Sequence, residues 1–276
     1  MQKQKLDNAS YESVADFVDA CDELVNTGNR GEFDKFDNRP DPSFYGAGCN
    51  TGKDVRKLVA NGWKEGQDNV TAMLEKTSAI EAAPQDRRRK RTRGEFGDDL
   101  DIHAVYRGHL DVAWSRTVRR NVSGPQKIDI LANMICSGGA SSTVLQWRGA
   151  AAVALADKLE RSGYMVRIVV GFGGEAFGAG NPKVSCRITV KPYDRPLDVS
   201  TCAAVTLPGF FRALGHRWIY GHAAPVISAG GITVRESKIE AGEIVATHSV
   251  RDEPSALKWI DEQIAKINGE DTANAA

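Results

Sequence analysis

The apolar positions of the chain change their period along its length, and the changes mark out its elements. Ile128–Met134 is an apolar run between Gly124-Pro125 and Gly138-Gly139, the pattern of a strand buried on both faces. Thr143–Arg161 is too long for a strand and carries Leu145, Gly149, Ala152, Ala156 and Leu159 at helical spacing. Ser162-Gly163 stops that helix, and Val166–Val170 reads as a second buried strand. A strand–helix–strand of this length needs a crossover connection, so its two strands are expected to lie parallel in one sheet. Val184–Val190 alternates like a half-exposed strand, and Arg217–Tyr220 and Glu243–His248 read as further strands. Pro208–Leu214 has the signature of a short helix, with Pro208 in its first turn and Gly215 just past its end. Pro254–Ile267 is an amphipathic helix with Leu257, Ile260, Ile264 and Ile267 on one face. The fold class that follows is α/β: a parallel or mixed central sheet flanked by helices, Rossmann-like in outline.

Upstream the pattern is helical. Val14, Phe17, Val18, Cys21 and Leu24-Val25 form one apolar stripe, followed by the Gly-, Asp-, Asn- and Pro-rich loop Thr27–Asn50. Asp54–Trp63 and Gln67–Ile80 are two further helices, broken at Gly62 and Gly66. This divides the chain into a helical region over 1–83, a basic solvated linker over 84–98, an α/β domain over 99–268 and a flexible tail over 269–276. Ile102–Arg119 fits either a helix or a hairpin turning at Gly108.

Composition narrows the classes. With 36 basic and 36 acidic residues among 276, 41% hydrophobic and 26% charged, the chain has no overall charge with which to coat nucleic acid. No apolar run reaches membrane-spanning length and MQKQKLDNAS lacks an apolar signal core, so no membrane partner is expected. Cys21, Cys49, Cys136, Cys186 and Cys202 are scattered, which reads as reduced thiols in a cytoplasm and no zinc site.

In sheets of this kind ligands bind beyond the carboxyl ends of the strands. That makes Asn133, Ser137, Gly138, Ser141 and Ser142 a candidate ligand or partner edge, joined by Gly173 and Gly174 of the glycine-rich stretch Gly171–Gly180. CSGGASS has the texture of a phosphate cradle, but the Lys-Ser/Thr of a triphosphate loop and the third glycine of a dinucleotide fingerprint are both absent. A serine capping the long helix accounts for the same residues. Arg87, Arg88, Arg89, Lys90, Arg91 and Arg93 place six cations in seven residues, a candidate nucleic-acid contact or a solubilising linker. No nucleophile with a visible base stands out, so no catalytic residue is assigned.

The Asn133–Ser142 stretch resembles the metal-ion-dependent adhesion site of von Willebrand factor A domains. That resemblance implies magnesium, but Asn133 stands where the site has an Asp, a poorer partner for a hard cation. No cofactor is therefore expected beyond a degenerate magnesium site. Asn61-Gly62-Trp63, Trp147–Ala151, Leu159–Tyr164 and Pro208–Gly215 resemble a family of uncharacterised tailed-bacteriophage proteins whose core is similar to the von Willebrand A fold. The resemblance implies a protein acting in the cytoplasm of a bacterial host. The first expectation is a non-enzymatic interaction protein whose α/β core binds a protein partner. The alternatives are a nucleic-acid-binding accessory of transcription or replication using Arg87–Arg93, an enzyme on a nucleotide or phosphate ligand, and a virion component. Oligomeric state has no signature in the sequence.

Overall fold

The structure is a computed structural model that describes residues 8–27, 40–46, 48–76, 90–118, 126–135, 141–176, 183–223 and 232–274. The chain divides into two units, one made of residues 1–83 and 127–276, the other of residues 84–126. The helical N-terminal region is thus part of the same unit as the central sheet.

The first unit is built on a six-stranded mixed sheet. Strand β1 (Asn8–Tyr11) precedes the first helix, α1 (Val14–Thr27). After α2 (Pro42–Tyr45), α3 (Gly52–Asn61) and α4 (Lys64–Lys76), the chain leaves for the second unit and returns as β5 (Lys127–Asn133). Helix α6 (Ser142–Arg161) crosses over to β6 (Met165–Ala176), which lies parallel to β5 with Asn133 opposite Gly171. Strand β7 (Lys183–Lys191) runs antiparallel to β6, and β1 lies parallel to β7 with Asn8 opposite Ser185. Helices α7 (Val199–Val205), α8 (Pro208–Phe210) and α9 (His216–Ala223) precede β8 (Ile232–Arg235) and β9 (Ile244–Ala246), and α10 (Glu253–Asn274) ends the chain. β9 pairs parallel with β5, while β8 pairs antiparallel with the distal part of β6, where β5 has stopped.

Alternation decides which face meets the helices. Ile128, Ile130 and Ala132 of β5, Val166, Ile168, Val170 and Phe172 of β6, and Cys186 and Ile188 of β7 enter one buried core. Helical side chains complete it, among them Phe17, Leu145, Leu155, Phe211, Trp218 and Ile260. Phe172 stands 5.8 Å from Phe17, 5.5 Å from Phe211 and 6.0 Å from Trp218, ring centre to ring centre, each in edge-to-face contact. Gly149 lets α6 approach its neighbour: a Cβ there would lie 2.1 Å from the Cβ of Thr206.

Several sequence expectations change. Arg217–Tyr220 is not a strand but part of α9, and the segment from Pro208 runs into it through a π-helical turn over Phe211–Gly215. Short apolar runs fit either period, and here Phe211, Leu214 and Trp218 recur at helical spacing and are all buried. Gly215 is no cap; a Cβ there would press to 2.7 Å from the Phe211 ring. Gly66 does not break a helix but lies inside α4, where a Cβ would overlap the Trp63 ring. Gly62 does end α3, at φ 79°, and Thr51 and Asp54 close a capping box at the other end. The tail expected to fray from Gly269 continues as helix to Asn274.

The second unit contains a three-stranded antiparallel sheet, with β2 (Lys90–Gly94) and β3 (Asp99–Leu100) on either side of β4 (Trp114–Val118). Helix α5 (Ile102–Tyr106), a turn at Gly108 with φ 76° and a 3-10 turn over Leu110–Val112 connect β3 to β4. The ambiguous stretch is therefore helix, turn and strand in succession. Lys90–Gly94, read as part of a solvated linker, is a strand; 84–89 lies outside the described residues.

The core also sets a pH response. The partly buried His216 ring packs 4.8 Å from Phe211, and its pKa is pushed down to about 4, first by burial and then by the nearby Arg212 charge. An unfolded histidine titrates near about 6.5, so the fold favours the neutral ring. Stability from this group is complete above that value and is lost as pH falls towards about 4. Denaturant titrations of wild type and His216→Phe are expected to diverge below about pH 6.5, with only the wild type losing up to about 1.4 kcal/mol per pH unit from this site.

Candidate functional site

At the carboxyl end of β5 the chain is held from the helix side. The Arg148 guanidinium, 2% exposed on α6, donates from Nη1 to the carbonyl of Ile135 at 3.0 Å and also to that of Asn133. Ser141 caps α6, its hydroxyl accepting from the Thr143 amide at 3.4 Å, and Ser142 is the first helical residue. Ser137 and Gly138 lie outside the described residues. Asn133 is fully buried, and among the described residues neither its Oδ1 nor its Nδ2 has a hydrogen-bond partner.

Gly173 and Gly174, expected in a flexible loop, lie inside β6. Both are buried and flanked by β7 on one side and β8 on the other. Glycine is needed there because of close backbone approach: a Cβ on Gly173 would sit 2.8 Å from the Val184 carbonyl. At Gly171, the register partner of Asn133, a Cβ would meet the Ser237 hydroxyl at 2.2 Å. Ser237 is buried, and its Oγ also lacks a partner among the described residues. The expected edge thus brings Asn133, Gly171 and Gly173 together in the sheet, buried.

Polar pairs that sequence spacing does not reveal hold this face. Arg187, opposite Gly171, donates at 2.7 Å to the Lys238 carbonyl and forms a two-pronged pair with Glu243, whose side chain is 1% exposed. The Lys238 amide in turn donates to Ser185 Oγ at 3.0 Å. Further along the sheet, Arg167 Nε donates to Asp129 at 2.7 Å, and the Tyr193 hydroxyl donates to the same carboxylate. These partners are 38 to 64 residues apart, so only the register discloses them.

The second unit has the opposite character. Among the described residues, eight large apolar side chains are exposed, and seven of them are Phe96, Leu100, Ile102, Val105, Tyr106, Leu110 and Val112. Phe96 and Tyr106 are 85% and 86% exposed. Burying a side chain of this size is worth about 1.5–3 kcal/mol, so leaving them in water forgoes ordinary core stabilisation. Asp101 orders this unit by capping α5 through the His103 and Ala104 amides, at 3.1 and 3.2 Å. Arg93 Nη2 lies 3.6 Å from the Asp101 carboxylate. A cavity of about 190 Å3 opens between Arg93, Leu100, Asp101, Val112 and Ser115. Of the basic run, Lys90, Arg91 and Arg93 lie in β2, and Arg87, Arg88 and Arg89 lie outside the described residues. The sequence carried one signal for this surface: Ile102–Arg119 fits both a helix and a hairpin, so its apolar residues mark no single buried face.

Among the described residues, no group of three or more His, Cys, Asp or Glu side chains is arranged to hold a metal, and no helix is long and apolar enough to cross a membrane. The Cys21 and Cys202 thiols are pushed up to about 12, chiefly by burial, far from the range of a ready nucleophile.

Two substitutions separate the roles of the buried polar groups. Glu243→Ala removes the two-pronged carboxylate and leaves Arg187 the Lys238 carbonyl and Glu240 at 3.7 Å, and is expected to cost about 1.5–3 kcal/mol in a denaturant titration. Asn133→Leu removes an amide that has no partner among the described residues and is expected to leave stability within about 1 kcal/mol of wild type or to raise it.

No curated protein and no solved structure matches the chain. A family model does, described as a domain of unknown function, DUF7192, over residues 3–249. The match spans both units and most of the chain, and the protein belongs to that family.

Proposed function

We propose that the protein is a non-enzymatic interaction protein whose residues 84–126 carry the contact with a protein partner. The observation that supports this reading is the concentration of exposed apolar side chains in that unit, Phe96, Ile102, Tyr106 and Leu110 above all. The carboxyl edge of the sheet supports a partner contact less well, because Asn133, Gly173 and Gly174 are buried. The resemblance to tailed-phage proteins with a von Willebrand A-like core supports an origin in a phage and action in the cytoplasm of its host. A buried neutral amide at Asn133, in place of an aspartate, is a poor partner for magnesium.

A second reading, nucleic-acid binding, rests on one observation. The register of β2 against β4 sets Lys90, Arg91 and Arg93 beside a strand carrying Arg116, and neither strand contains an acidic residue.

The paired substitution Phe96→Ser with Tyr106→Ser tests the first reading. Both side chains are exposed, so the melting temperature is expected to stay within a few degrees of wild type or to rise. Affinity capture from infected cells, followed by mass spectrometry, is expected to lose the proteins that wild type retains. Recovery of the same proteins by both forms counts against the proposal.

A further inference from the structure

Strand β2 lies at the margin of its sheet: the order is β2-β4-β3, and among the described residues β4 is its sole strand partner. A free edge presents backbone donors and acceptors to any extended chain that can pair with it. Side-chain charge decides which chain that is. The strand reads Lys90-Arg91-Thr92-Arg93-Gly94, and Arg93 is 64% exposed at its side chain. A second copy pairing antiparallel about Thr92 would set Arg91 opposite Arg93 in both directions, and like charges directly opposite are destabilising. An extended segment carrying carboxylates meets the opposite situation at every charged position.

Apolar anchors lie on the same unit. The 3-10 turn Leu110–Val112 leaves Leu110 63% exposed, and the 190 Å3 cavity joins Val112 and Leu100 to Arg93. Most exposed apolar groups here are aliphatic, which suits side chains of a peptide better than stacked bases. Resting on the reading that this unit binds a protein, we infer that the partner element is an acidic, extended segment with interspersed aliphatic residues, which adds to β2 as a further strand.

The test uses the full-length protein and a synthetic peptide alternating glutamate with valine, its lysine–valine counterpart and a DNA duplex as probes. The acidic peptide is expected to bind, to weaken with added salt, and to lose roughly tenfold in affinity on Arg93→Glu. Hydrogen exchange is expected to slow at backbone amides of Lys90–Gly94 when the peptide is present. Equal binding of both peptides, or acidic-peptide binding without protection of β2, overturns the inference. Duplex binding without peptide binding overturns it in favour of nucleic acid. Leu110→Asp is the second variant: it leaves the strand charges intact and is expected to weaken the peptide as well. If Arg93→Glu still captures the cellular proteins that Phe96→Ser with Tyr106→Ser loses, the edge pairing fails while the wider proposal stands.

Discussion

Every strand of the larger unit depends on β6 finding hydrogen-bond partners along both of its edges for twelve residues. β7 satisfies one edge along nearly the whole length. The other is shared, by β5 as far as Gly171 and by β8 from Gly173 onward. The changeover brings three backbones and Ser237 close together, and Gly171 and Gly173 are what allow it. The turn after β8 then crosses the face away from the helices, where Arg187 and Glu243 fasten it beside β9. Without that fastening, β8 and β9 would be short strands with little burial of their own.

The two units divide their chemistry. In the larger one, buried cations are absorbed internally: Arg148 by strand-end carbonyls, Arg187 by Glu243, Lys191 by the Val166 carbonyl at 2.7 Å and by Glu160. The smaller one leaves its apolar groups and much of Arg93 to solvent. A protein that needed only a stable fold would place such groups the other way round, and this contrast directs the functional reading to residues 84–126.

Much of the α/β unit was legible in the sequence because its parallel pair and crossover helix are long and uniformly apolar. The strand Ile128–Met134 and the helix through Leu145 to Leu159 stand within a residue or two of where their periods end. Two signals misled. The stretch after Val170 has the composition of a mobile loop, although Gly171 and Gly173 serve close packing inside a strand, a distinction made by neighbours distant in sequence. The Arg-rich run has the composition of a solvated linker, and the strand state of its residues from Lys90 onward depends on pairing with Trp114–Val118. The candidate site was legible only in part, for the same reason. Asn133 and Ser141 fall where the strand–helix pattern puts them, but Ser237, Arg187 and Glu243 come together solely through sheet register.

The position of β1 has a consequence for how the protein is made. Asn8 pairs with Ser185, so during synthesis β1 has no partner until β7 follows it. At a synthesis rate of about 5–20 residues per second, that interval is roughly ten to thirty-five seconds. Until the chain reaches α9, Tyr11 of β1 also lacks Trp218, whose indole donates to its hydroxyl at 2.8 Å in the finished fold. Strand β1 is therefore fixed in the sheet only once the chain as far as α9 has been made, although it precedes every other described element of the larger unit.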